Sequence, residues 1–375
     1  MSRFHYLMIV VMLAFGLATT GAWAAGVVGT GTAGSCTEAA LDTALTGGGG
    51  VTFNCGAGPA TIIFTTNKSV TVATTIDGGN LITLSGGNAV RLFTVTAGGL
   101  TVQNVALVNG HDTAGLPGGA AIAASAPVIV TNSTVSGHQT TSGGCSAIVV
   151  SGTSLALTGT TVTGNVNGAP ATGDAICGNN TSNITITNST ISGNTGGALF
   201  TSGSATFTNS TVASNAPTGL GNSGGITSFA GTIMLQNTII AKNTGTGQCA
   251  AVVGGVITDG GGNLQSPDNG CGLTIPVGNP LLGALTNNGG PTRTMALITG
   301  SAALGIAVHA NCPATDQRGV ARGAVTCDAG AFEGQVAVPN PVPTPTLSDT
   351  ALVALALLSA LVGMAALRRR YGRSS

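Results

Sequence analysis

From residue 102 to residue 243, apolar and polar positions recur in one fixed phrase. It reads VTNSTVSGH at 130, LTGTTVTGN at 157, ITNSTISGN at 186, FTNSTVASN at 207 and LQNTIIAKN at 235, after a degenerate first copy, VQNVALVNG, at 102. The starts lie 28, 27, 29, 21 and 28 residues apart. A period in the twenties marks a solenoid, whose units cannot bury their own faces and must stack on neighbours. Thr, Ser, Val and Ile fill the phrase, and nothing in it keeps a 3.6-residue period, so helical repeats are excluded. A parallel β-helix remains, with each coil pairing to the next at ~4.8 Å spacing. Ile186 and Ile191, with counterparts Val130, Val135, Leu157, Val162, Phe207, Val212, Leu235 and Ile240, are expected to point inward.

Two asparagine columns run through the copies. Asn165, Asn194, Asn215 and Asn243 close the phrase where the chain must turn, and an amide there accepts from one coil and donates to the next. His138 stands in the same column and is read as a variant rung. Asn132, Asn188, Asn209 and Asn237 form the second column and match glycosylation sequons in places. The Gly-rich stretch upstream, from Ser69 to Gly110, reads as further coils, giving about eight to ten between residues 51 and 280.

An open solenoid end exposes unpaired edges and needs a cap. Residues 26–50 are the expected N-terminal cap. There Ser35 and Glu38 have capping-box spacing, Leu41 and Leu45 share a helical face, and Gly47 stops the helix. Residues 281–334 leave the phrase, gather much of the body's charge and are the expected C-terminal cap.

Composition supports an ordered β-rich body. Gly accounts for 61 of 375 residues, charged residues for 6%, aromatics for 3%, and formal net charge is zero. Disordered chains combine low hydrophobicity with high net charge, which this chain lacks. Without basic excess or aromatic platforms, nucleic-acid binding is excluded. Residues 1–25, with Arg3, an apolar run, and small residues Ala22 and Ala24, read as a signal peptide. All eight cysteines (Cys36, Cys55, Cys145, Cys177, Cys249, Cys271, Cys312, Cys327) follow it, an even number fitting an oxidising compartment. Stacking keeps sequence neighbours close, so nearest-in-sequence pairing is expected. No CxxC pair points to zinc or redox chemistry, and no cofactor is expected.

The end of the body carries a specific likeness. NNGGPT at 287–292, TDQRG at 315–319 and CDAGAFE at 327–333 resemble the C-terminal region of bacterial choice-of-anchor (Q-type) β-helix surface proteins. That resemblance implies a single-stranded, right-handed parallel β-helix. One departure is Gly305 in SAALGIA, where that group usually has an acidic residue. Residues 335–346 form a Pro-rich linker, stiff and extended. Residues 347–375 hold the rest of the tail, in which 350–367 is an apolar run about 27 Å long as a helix, just enough to span a bilayer. Arg368, Arg369, Arg370 and Arg373 follow and would stay cytoplasmic. Pro345, Thr346, Leu347 and Ser348 resemble the centre of IPTL-type sorting signals of Gram-negative bacteria, with Thr344 for the usual Ile and Asp349-Thr350 for Glu-Trp. The resemblance implies a membrane helix before processing and a transpeptidase-like sorting protease as partner.

Polysaccharide lyases and hydrolases also use β-helices, so an enzyme is the rival reading. Their chemistry needs clustered carboxylates or a calcium site. The coils carry Asp77, Asp112, Asp174, Asp259 and Asp268, at no common coil position; Asp112 beside His111, and Asp174, would be the site. The favoured expectation is a non-catalytic, exported surface rod or adhesin binding glycan or a surface protein.

Overall fold

The computed structural model describes residues 26–114, 117–141, 143–168, 173–218, 223–334 and, in a separate unit, 357, 358, 360–362, 364 and 365. Residues 26–334 form an all-β parallel solenoid of about nine turns. Its main sheet has 17 strands, its second 8, and a short third sheet has 3. Register follows the phrase. Val130 pairs with Leu157, Leu157 with Ile186, Ile186 with Phe207, and Phe207 with Leu235. Val135, Val162, Ile191, Val212 and Ile240 form the parallel column. Both columns are buried in one continuous core, which also holds Phe64 edge-on to Phe93 with ring centres 5.7 Å apart. Like-on-like stacking of β-branched and large apolar side chains is the packing a parallel ladder favours.

Inside each phrase the main sheet bends at one residue. Asn104, Asn132, Asn188, Asn209 and Asn237 adopt φ of +54, +47, +45, +44 and +50° there, and Gly159 takes the place in its own coil at +61°. Asn and Gly are the residues that enter the left-handed region cheaply. The second asparagine column is therefore a bend.

Both ends differ from expectation. Strand Gly26–Val28 already pairs with Val51–Phe53, so the stack begins inside the segment assigned to the cap. Helix α1 (Glu38–Leu45) buries Leu41 in the core. Its N-cap is Thr37, whose Oγ1 accepts from Ala40 N at 3.2 Å; Ser35 and Glu38 form no capping box. Glu38 instead accepts from Thr65 N (2.9 Å), Thr65 Oγ1 (2.7 Å) and Lys68 Nζ (2.6 Å). Burial pushes its pKa up, but these bonds outweigh that and hold it at about 2. Disulfide Cys36–Cys55 lies beside the helix.

At the other end the last coil is Val256–Asp259 and Leu264–Ser266. Residues 267–278, expected inside the β-helix, turn under it. Gln265 pairs with Val277, Gln265 Nε2 donates to Gly272 O (2.7 Å) and Ile275 O (2.8 Å), and Cys271 and Ile275 enter the core. Disulfide Cys249–Cys271 ties the segment to the stack.

Residues 281–334 do not cross that end. They run back along the side of the stack as a strap, reaching Gly159, whose carbonyl accepts from Thr292 Oγ1 at 2.8 Å. The reason lies in the strands they cover. Thr161, Thr163, Thr190, Ser192, Thr211, Ala213 and Ala241 face outward on their sheet yet are buried. Small side chains there let a second layer of backbone approach. The strap brings its own apolar residues, Leu282, Met295, Ala303 and Ala329, onto Ala213, Ile239 and Ala241.

Of the separate unit, the described residues are helical. Among the described residues no helix is long and apolar enough to cross a membrane.

Candidate functional site

The turn column forms an unbroken amide chain. Asn165 Nδ2 donates to Asn194 Oδ1 (2.8 Å), Asn194 Nδ2 to Asn215 Oδ1 (2.8 Å), Asn215 Nδ2 to Asn243 Oδ1 (2.9 Å), and Asn243 Nδ2 to Gln248 Oε1 (3.0 Å). Each Oδ1 also accepts the backbone N–H of the preceding rung, as from Asn165 N to Asn194 at 3.1 Å. His138 copies both contacts: Nδ1 accepts from Gly110 N (2.9 Å) and Nε2 meets Leu107 O (3.0 Å). These bonds assign the proton to Nε2. Burial depresses its pKa to about 4, the carbonyl opposing.

A hydroxyl ladder beside the bend escaped the sequence reading. Ser133, Thr160, Ser189, Ser210 and Thr238 each donate to the carbonyl two residues back, at 2.8, 3.0, 2.8, 3.0 and 2.8 Å. Several also accept an N–H from the preceding coil, as Ser210 Oγ does from Ser189 N at 3.3 Å. The recurring Ser or Thr after each bend residue was its signal.

The bend asparagines hold the strap. Asn188 Nδ2 donates to Thr315 O (2.7 Å) and its Oδ1 accepts from Arg322 Nη2 (2.9 Å). Asn209 Nδ2 donates to Asp328 O (3.1 Å), and Asn237 exchanges bonds with Val308 N (2.7 Å) and O (3.1 Å). Gln317, from TDQRG, is the buried centre. Its Oε1 accepts from Thr190 Oγ1 (2.6 Å), and its Nε2 donates to Thr161 Oγ1 and Thr292 Oγ1 (both 2.9 Å). Arg322 pairs with Glu333 (2.9 Å) and Arg318 with Asp316 (2.6 Å). Burial lowers the Arg322 pKa against the pull of Glu333 and raises that of Asp328. Gly305 donates its N–H to Asp328 Oδ1 at 2.7 Å. Disulfide Cys312–Cys327 closes the strap on itself. Arg322 carries one of these charges to the stack through Asn188, while the others bond within the strap.

The carboxylates of the coils stay apart. Asp77, Asp259 and Asp268 each accept the N–H two residues on, from Gly79 (3.0 Å), Gly261 (2.9 Å) and Gly270 (2.9 Å), as turn residues do. Asp77 also accepts from Gln103 and Asn104, and against the effect of burial these bonds lower its pKa. Asp112 is paired with Arg91 at 2.9 Å, while His111 Nδ1 meets Asn88 O at 3.1 Å. Asp174 lies two coils from Asp112, buried, with Oδ2 lacking a hydrogen-bond partner; burial raises its pKa well above 3.8. Disulfide Cys145–Cys177 joins adjacent coils nearby. Among the described residues no three His, Cys, Asp or Glu side chains could hold a metal ion.

One outer face remains open. Thr131, Thr158, Thr187 and Thr208 stack in register along it, beside Thr185 and Thr206. On the second sheet Phe200 and Phe229 lie 5.7 Å apart, with Phe229 exposed.

Pro345, Thr346, Leu347 and Ser348 lie outside the described residues, as do the signal peptide and most of the apolar run. Residues 341–370 match the IPTL-CTERM motif. This is a C-terminal sorting signal. It marks an exported surface protein and implies processing by a sorting enzyme. No curated protein and no solved structure matches the chain.

Proposed function

We propose that this chain is a non-catalytic surface rod or adhesin of a Gram-negative envelope, whose solenoid presents an uncharged Thr-rich face to glycan or to another surface protein. The observation that carries this reading is the sorting motif at 341–370 joined to a disulfide-bonded solenoid. The likeness of 287–333 to choice-of-anchor proteins supports it. Stacked hydroxyls at rung spacing offer repeated donors and acceptors to a polymer, and the Phe200–Phe229 pair adds an apolar platform for sugar faces. The non-catalytic part rests on Asp112, tied to Arg91, and on Asp174, which is buried.

In this scheme residues 350–367 hold the precursor in the membrane with Arg368–Arg370 inside, while a transpeptidase-like enzyme acts at the motif around Pro345–Ser348. Mass spectrometry of the mature protein from its native host is expected to show a C-terminus truncated near that motif; an intact Ser375 would reject cleavage. A glycan array probed with the purified protein is expected to give reproducible binding. Release of unsaturated or reducing sugar would instead establish a polysaccharide lyase or hydrolase.

A further inference from the structure

The stack ends on open edges. Strands Cys249–Val252 and Val256–Asp259 pair with the coil before them, and no strand among the described residues pairs with their far sides. Residues 267–278 close the perimeter beneath Leu264–Ser266 and, through Gly270 and Cys271, beneath Gln248 and Cys249, which leaves Ala250–Val252 and Val256–Asp259 uncovered. The inward columns record this: Thr201 and Ser228 are fully buried, but their next counterpart, Ala251, is exposed. Val252, Val253 and Val256 are 40%, 69% and 49% exposed.

Natural sheets blunt such edges with charge, proline or bulges. The segment QCAAVVGGVIT, residues 248–258, has neither charge nor proline. At the opposite end α1 lies against the first coil, with Glu38 and Asp42 paired to Lys68.

Val253 supplies an independent observation. Its φ is +51°, in the left-handed region a β-branched residue avoids, at a turn where other coils use Gly152, Asn180 and Ala230. Strain is retained where something compensates for it. Its exposed side chain gains little packing from its own chain.

We propose that this end is a self-association surface, on which a second copy of the chain docks end to end. A two-fold axis through the Val253–Gly254 turn would lay Ala250–Val252 of each copy antiparallel beneath Val256–Thr258 of the other. Both open edges are then paired, and the exposed valines are covered. The neutral segment meets itself without repulsion, and a two-fold requires a self-complementary patch.

Sedimentation velocity of the full chain in mild detergent tests this. The wild type is expected to dimerise. Val253→Asn relieves the turn, so thermal stability of the dilute monomer should hold or rise while dimer dissociation increases at least tenfold. Val256→Lys places a charge on the edge and should weaken the dimer similarly. A wild type monomeric at all concentrations would overturn the proposal. So would a dimer indifferent to both substitutions, which would be held by the C-terminal apolar run or another surface.

Discussion

His138 and Asp174 are buried titratable side chains with opposite consequences. In the folded chain His138 has a pKa of about 4, against an ordinary 6.5. The unfolded chain takes up that proton first, so stability falls as pH drops from about 6.5 towards 4. Asparagine at this position would supply the same acceptor and donor as the rungs beneath it. We expect His138→Asn to fold normally and to remove this loss, worth about 2 kcal/mol between pH 6.5 and 5 at 1.36 kcal/mol per pH unit, in urea titrations at the two pH values. Asp174 carries the reverse sign. Its folded pKa lies above 3.8, so its neutral form is compatible with burial and stability is lost as pH rises through that pKa. Asp174→Asn should stabilise by about 1–3 kcal/mol at neutral pH, with the gain vanishing near pH 4 in melting curves. The rung role of His138 was legible because it fell in a column of asparagines. The isolation of Asp174 was not, because one aspartate in a loop carries no periodic signal.

Among the elements, the strap departs most from what the phrase foretold. Its residues occur once, so no repeat disclosed where they lie. A trace was nevertheless present: outward positions after the bend stay small from Thr161 to Ala213, because another layer rests on them, and only at Ile239 in the next coil does a larger side chain meet that layer. Gln317 ties that layer down through Thr161, Thr190 and Thr292. Gln317→Ala leaves those hydroxyls without their shared partner. Limited proteolysis is expected to cut within residues 292–334 at least several-fold faster, while far-UV circular dichroism of the solenoid is retained. Equal cleavage rates would mean that the bend asparagines hold the strap alone. The fold of the coils, by contrast, was written in their alternation: every residue expected inward in the phrase is buried.

At the scale of the whole molecule, stability is a sum over neighbouring coils, with the strap as the element that spans several. Removal of residues 102–129 places Val130 where Val102 stood and touches no strap contact described above. Removal of 186–206 places Phe207 where Ile186 stood, but it takes away Asn188 and Thr190 and shifts Gly159 and Thr161 by one coil relative to the strap, which leaves the stack at its C-terminal end. Both deletions remove one complete turn. The first is expected to lower the thermal midpoint modestly, the second to lower it much further and to expose the strap to protease. Similar midpoints would show that the strap follows the stack without contributing to it.

The bend asparagines carry one more consequence. Asn188-Ser189-Thr190 and Asn209-Ser210-Thr211 are acceptor triplets for an oligosaccharyltransferase, which acts before a nascent chain has folded. A sugar attached at Asn188 or Asn209 would occupy the very nitrogen that donates to Thr315 or Asp328. Secretion through a eukaryotic host would therefore yield a coiled body with its flank unclosed. A bacterial periplasm would avoid that outcome, whereas Asn→Gly exchanges would keep the left-handed bend but lose the same bonds to the strap.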